Sequence, residues 1–207
     1  MTAPAMSFRG WSARRKRTAG GMSSRPLALL AAVTAGLLAG GMVLIEVVLV
    51  PFWRAAPPAE FREWFTAHSG RIRALMVPLG VGAGLASAAS AVAQVTERDR
   101  SGPAAVVAAG ATVGVLAITV TVNEPANHRF VAGELTGPET TALLSRWARW
   151  HHVRVGLGLL ATGAAMLALG QQPDSGRLQS RRRRHGTARQ PVLRDHHRGE
   201  FRDRRQS

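Results

Sequence analysis

Four apolar blocks, residues 27–50, 74–95, 103–122 and 152–170, hold only two formally charged residues between them, Glu46 and Arg154. A helix needs about 20 apolar residues to cross the roughly 30 Å hydrocarbon core of a bilayer. Blocks of this length predict membrane spans rather than the core of a soluble domain. The expected fold is all-α, a four-helix transmembrane bundle over residues 26–172. Small residues in "GLLAGG", "GVGAGLASAA" and "GLGLLATGAA" let such helices approach one another closely. The first block follows a basic leader, as a secretory signal does. Its 24 residues exceed the apolar core of such a signal, about 7–15 residues, so it reads as a retained span.

The formal net charge is +15, with 27 Lys and Arg, which invites a nucleic-acid reading. The placement of the charge argues for a membrane instead. Six basic residues precede the first block and eleven follow the last, where they flank spans. A basic leader over 1–25 and an Arg-rich tail over 173–207 have no periodic apolar face and are expected to be disordered. Anionic lipid headgroups are their expected partners. The leader, the turn at 96–102 and the tail hold 19 of the basic residues, and the other two connections hold eight. That bias predicts a multi-pass protein of the cell membrane with both termini in the cytoplasm. The absence of cysteine excludes disulfides, thiolate metal sites and cysteine nucleophiles.

With that topology, the polar residues bordering the blocks on the outer face share one level. Glu46 lies near the end of the first block; His68 and Arg71 lead into the second; Asn123, Glu124 and Asn127 leave the third; His151 and Arg154 enter the fourth. The stretch "TVTVNEPANHRF" (119–130) turns abruptly from apolar to polar. Pro125 is expected to break the helix there, and Asn123 with Asn127 either cap its end or line a site. Trp147, His151 and Arg154 fall at i, i+4 and i+7, a single helical face. His152 points elsewhere and is expected to be exposed. Glu46 sits about 6 Å below the end of its block, too deep for a short carboxylate to reach the headgroups easily. Its natural partner is Arg71 or Arg154, in a salt bridge that locks two helices or in chemistry. His68, His151, Glu46 and Glu124 are metal-ligand types, but no H-E-x-x-H and no tight histidine pair on one face accompanies them. No metal site is assigned.

The segments "PAEFREWFTAHSGRIRALMVPL" (58–79), "TVTVNEPANHRF" (119–130) and "LLSRWARWHHVRVGLGLLAT" (143–162) occur in this order. They resemble the anthrone-oxygenase-like family of small four-helix integral membrane proteins, over roughly residues 27–170. The family pattern falls on His68, Asn123, Pro125, Asn127, Trp147, His151 and Arg154, while Glu46, the leader and the tail lie outside it. The resemblance implies oxidation of an anthrone, flat, apolar and acidic at one carbon, to an anthraquinone. His68 or His151 would be the base, and Asn123, Asn127 and Arg154 would hold the enolate oxygen. Trp147, Glu46 and Arg71 complete the candidate binding residues. Dioxygen would be the co-substrate of this membrane oxidoreductase, and no motif names a cofactor. Two other readings stand beside it: a non-catalytic small-molecule binding or export-accessory protein, and a bundle whose polar layer only locks its helices.

Overall fold

The structure, a computed structural model, describes residues 24–172. The expected disordered leader and Arg-rich tail lie outside the described residues, apart from Ser24 and Arg25. Four helices account for most of what is described: α1 (Ser24–Ala55), α2 (Pro58–Thr96), α3 (Gly102–Ala132) and α4 (Gly137–Gly170), each long and apolar enough to cross a membrane. Helix α1 packs against α2 and α4, and α3 closes the ring against the same two. The short connections make neighbours antiparallel, so the chain is an up-down-up-down four-helix bundle, as the apolar blocks predict.

The helices outrun those blocks. With 31 to 39 residues each, they are roughly 46–58 Å long, against about 30 Å of hydrocarbon. The surplus lies at the end that carries the α1–α2 and α3–α4 loops, the two-loop end. Local chemistry fixes these loops. Gly133 takes a left-handed φ of 78° where α3 ends. Thr136 opens α4 with a capping box: its hydroxyl accepts from the Glu139 N–H at 3.4 Å, and its own N–H donates to Glu139 Oε2 at 2.8 Å.

Helix α3 does not break at Val122. It passes through a π-helical turn, Thr119–Asn123, and continues to Ala132. Helix α1 does the same through Ile45–Leu49 before its last segment, Val50–Ala55. In both helices a proline follows two residues after the widened turn, Pro51 in α1 and Pro125 in α3. A proline ring clashes with the carbonyl four residues back and offers it no donor. The carbonyls in question, of Val47 and Thr121, lie inside the widened turns. Proline is thus accommodated by a wider turn rather than by a helix end.

At the opposite end, where α2 turns into α3, the helices meet through small side chains. Ala32, Ala108, Ala164 and Ala165 form one buried cluster, and Ala91, Ala105 and Ala168 another. Midway, α4 approaches α1 so closely that a Cβ on Gly158 would stand 2.5 Å from Met42 Cε. Buried hydroxyls pair locally, Thr112 with the Ala108 carbonyl at 2.8 Å and Gln94 Nε2 with Ser90 Oγ at 2.7 Å. The two-loop end is built from large rings. Trp53 makes edge or tilted contacts with Phe61, Trp64, Phe65 and Trp147 at centroid distances of 5.6–5.8 Å. Phe130 packs against Phe61 at 5.0 Å.

Candidate functional site

Large rings at one end and small side chains at the other leave a cavity of about 290 Å³ between them. Trp53, Phe65 and Trp147 form its roof, while Leu38, Val115 and Leu116 lie towards the alanine-rich half. On its α2–α3 side the lining includes Val77, Val81 and Val120, which are exposed on the outer surface of the bundle. The cavity therefore opens sideways, through the seam between α2 and α3, where a lipid tail would lie.

Its polar groups come from α3 and α4. His151 is 0% exposed and stacks on Trp147 at 4.7 Å and 19°. Its Nε2 lies 3.1 Å from the Met42 carbonyl oxygen. A carbonyl can only accept, so the proton sits on Nε2 and Nδ1 keeps a lone pair. That Nδ1 is buried and has no hydrogen-bond partner. Asn123, 1% exposed, ends the π-turn of α3, and neither atom of its side-chain amide is paired. Arg154, 8% exposed, has an unpaired Nε. Among the described residues no carboxylate lies within 4.0 Å of its guanidinium. All three side chains line the cavity.

A buried polar group without a partner costs about 1–3 kcal/mol, and a buried charge more. Here a hydrogen-bond acceptor, an amide and the Nε–H of a guanidinium bear that cost around one space. Such a wall suits a molecule with an apolar body, an acidic hydrogen and an oxygen that becomes negative. A second string of groups is fully paired and runs across three helices. Trp147 Nε1 donates to Asn127 Oδ1 at 2.9 Å, and Asn127 Nδ2 donates to Glu124 Oε1 at 3.3 Å. Glu124 Oε2 in turn receives Arg73 of α2, which straps the α2–α3 seam beside the opening.

The candidate residues from the sequence separate into two groups. Asn123, Asn127, Trp147, His151 and Arg154 line the cavity, and His68, Arg71 and Glu46 do not. His68 stacks on Trp64 at 4.5 Å, with Nδ1 bonded to the Trp64 carbonyl at 2.8 Å. Arg71 is exposed. The partner of Glu46 is neither Arg71 nor Arg154. The π-turn of α1 points its carboxylate at α4, where Oε1 lies 3.3 Å from His152 Nδ1 and Oε2 3.9 Å from His151 Nε2. His152 is exposed, as expected, yet it faces Glu46 instead of turning away. Asn123 precedes Glu124 in a continuous helix and makes no side-chain cap.

Arg73 and Glu124 also line the cavity; Glu124 was among the polar residues of the outer level, and neither was assigned to the binding set. The signal was present in spacing: Phe65, Ser69, Ile72, Arg73, Met76 and Gly80 recur every three or four residues on one face of α2, and all line the cavity. Among the described residues no three His, Asp or Glu side chains converge.

A multi-pass helical membrane bundle with a lipid-facing, polar-walled cavity is the class of protein that this fold and site define. The family model of anthrone oxygenase matches residues 61–164, half of the chain, and the chain belongs to that family. No curated protein and no solved structure matches it. The matched segment contains every polar cavity residue named above and excludes Glu46.

Proposed function

We propose that the protein is a membrane oxidoreductase of the anthrone-oxygenase kind, taking a flat phenolic or quinone-like molecule from the bilayer and oxidising an acidic CH₂ to a carbonyl. The observation that carries this is the set of unpaired groups on one cavity wall: His151 Nδ1, the Asn123 amide and Arg154. The substrate enters between α2 and α3 and lies beneath the aromatic roof. His151 Nδ1 takes one proton from the CH₂ carbon, and the electron pair moves to the ring oxygen. Asn123 and Arg154 donate to that oxygen as its charge develops. Asn127 is held by Trp147 and Glu124 and shapes the wall beside them.

The carbanion then passes its electrons to dioxygen, and a carbon–oxygen bond forms. The proton on Nδ1 goes to the distal peroxide oxygen. Loss of the second C–H proton with hydroxide leaves a carbonyl and one water. The balance is CH₂ + O₂ → C=O + H₂O: carbon gives four electrons and the two oxygen atoms take them. The base is His151 and not His68, because only His151 lines the cavity.

The site belongs to the outer leaflet of the cell membrane if both termini are cytoplasmic, as the split of basic residues suggests. The basic leader and tail then meet anionic headgroups. Non-catalytic small-molecule binding is the second reading, favoured by the same cavity without its proton chemistry. The test is anthrone added to the protein in lipid nanodiscs. Oxygen uptake equal to anthraquinone formed, both lost in His151→Ala, supports the oxidoreductase. Quenching of tryptophan fluorescence without oxygen uptake would leave only binding.

A further inference from the structure

Glu46 is the one carboxylate in the first span, lies outside the segment that the family model matches, and touches no arginine among the described residues. Its Oε2 is buried and accepts no hydrogen bond. His151 Nε2 lies 3.9 Å from that oxygen. The opposite edge of the same ring is the unpaired Nδ1 that serves as the proposed base. The carboxylate thus faces one nitrogen of an imidazole that lines the cavity, and the other nitrogen is unpaired.

We infer that Glu46 is the positioning residue for His151, on the side of the ring away from the substrate. The inference rests on the oxidoreductase reading and deepens it. When Nδ1 accepts the substrate proton, the C–H bond breaks, the N–H bond forms and the ring becomes a cation. That cation arises inside the bundle, one helical turn from Arg154, which is already positive. Glu46 is the carboxylate within 4.0 Å that offsets it. The Met42 carbonyl holds the Nε2 proton in place beforehand, so the ring begins in the tautomer that leaves Nδ1 free. Glu46 touches neither substrate nor reacting atoms. His152, with 78% of its side chain exposed, holds the other carboxylate oxygen at 3.3 Å and so keeps Oε2 turned inward. The π-turn Ile45–Leu49 carries Glu46 and gives an otherwise costly charge in a membrane span a specific task.

The experiment follows proton abstraction apart from oxidation. Anthrone is incubated without oxygen in D₂O with the protein in nanodiscs, and exchange of its CH₂ hydrogens is followed by mass spectrometry above the uncatalysed rate. Glu46→Gln keeps the shape and removes the charge. Exchange should slow by about 10- to 100-fold, with anthrone affinity by fluorescence quenching unchanged, and Glu46→Asp should recover part of the rate. His152→Gln changes only an exposed side chain and should slow exchange severalfold, which keeps the test decisive if Glu46→Gln does not fold. Full exchange rates in Glu46→Gln or, failing its folding, in His152→Gln, would overturn the role of Glu46 and leave the oxidoreductase standing. No exchange in the parent protein would overturn both.

Discussion

The two ends of the bundle solve the same packing problem with opposite materials. Where α2 turns into α3, alanines and glycines bring helix backbones together, and dispersion between close surfaces replaces the hydrophobic drive that lipid cannot supply. At the two-loop end, four tryptophan and phenylalanine rings gather around Trp53 and hold the helices apart. Unpaired buried atoms occur at both ends, as Gln94 Oε1 and Ser101 Oγ show. Those of His151, Asn123 and Arg154 differ in that they face a shared cavity. Large, stiff rings cannot interdigitate as alanines do, and a space beneath them is the result. One end is packed for stability, and the other is propped open.

The sharpest break in that comparison is His151→Ala. Turnover of anthrone should fall by about 10²–10⁴-fold, while melting in detergent changes little, because a propped-open region tolerates a smaller side chain. An equal loss of melting temperature would mean that the imidazole holds the bundle together. Next in size is the reverse experiment at the other end. Ala164→Leu forces extra methylenes between close-packed helices and should cost about 1–3 kcal/mol, with ligand binding per folded molecule unchanged; thermal melting and fluorescence titration read the two quantities separately.

A smaller effect carries the opposite sign. Asn123→Val removes two unpaired buried polar atoms and should raise stability by about 1 kcal/mol while ligand affinity falls. Thr112→Val removes a paired hydroxyl at the alanine-rich side and should lower stability by a similar amount. Matching signs in the two variants would erase the distinction between the ends. The smallest expected change is Arg73→Gln. Its bridge to Glu124 is partly exposed, so melting should shift by less than about 1 kcal/mol, and a faster approach to binding equilibrium would place the strap at the entrance.

Much of this architecture was legible in the chain. Length and absence of charge announce four spans, because a bilayer leaves the backbone few choices. The face Trp147, His151, Arg154 was readable because it lies on one helix, where spacing converts directly to direction. What crosses between helices was not. Arg73 and Glu124 lie on different helices, and only the azimuth of α2 against α3 brings them together. Glu46 was recognisable as anomalous from its depth, yet its partner was misassigned, since spacing carries no information on which neighbour a span meets. The stretch after Val122 misled for a local reason: polar residues and a proline signal a helix end, and a π-turn absorbed both.

Those widened turns make the site tolerant of residue count at two places. A π-turn holds one residue more than the ordinary winding would. Deleting Val47, an exposed side chain, would remove that surplus, let α1 rewind regularly and leave Trp53 in the roof. The same deletion in a regular stretch of helix would instead rotate what lies beyond it by about 100°. The same arithmetic applies to Val120 and Asn127. The two lipid-facing turns are therefore the points in α1 and α3 where the chain can lose a residue without turning the roof or the wall away from the cavity.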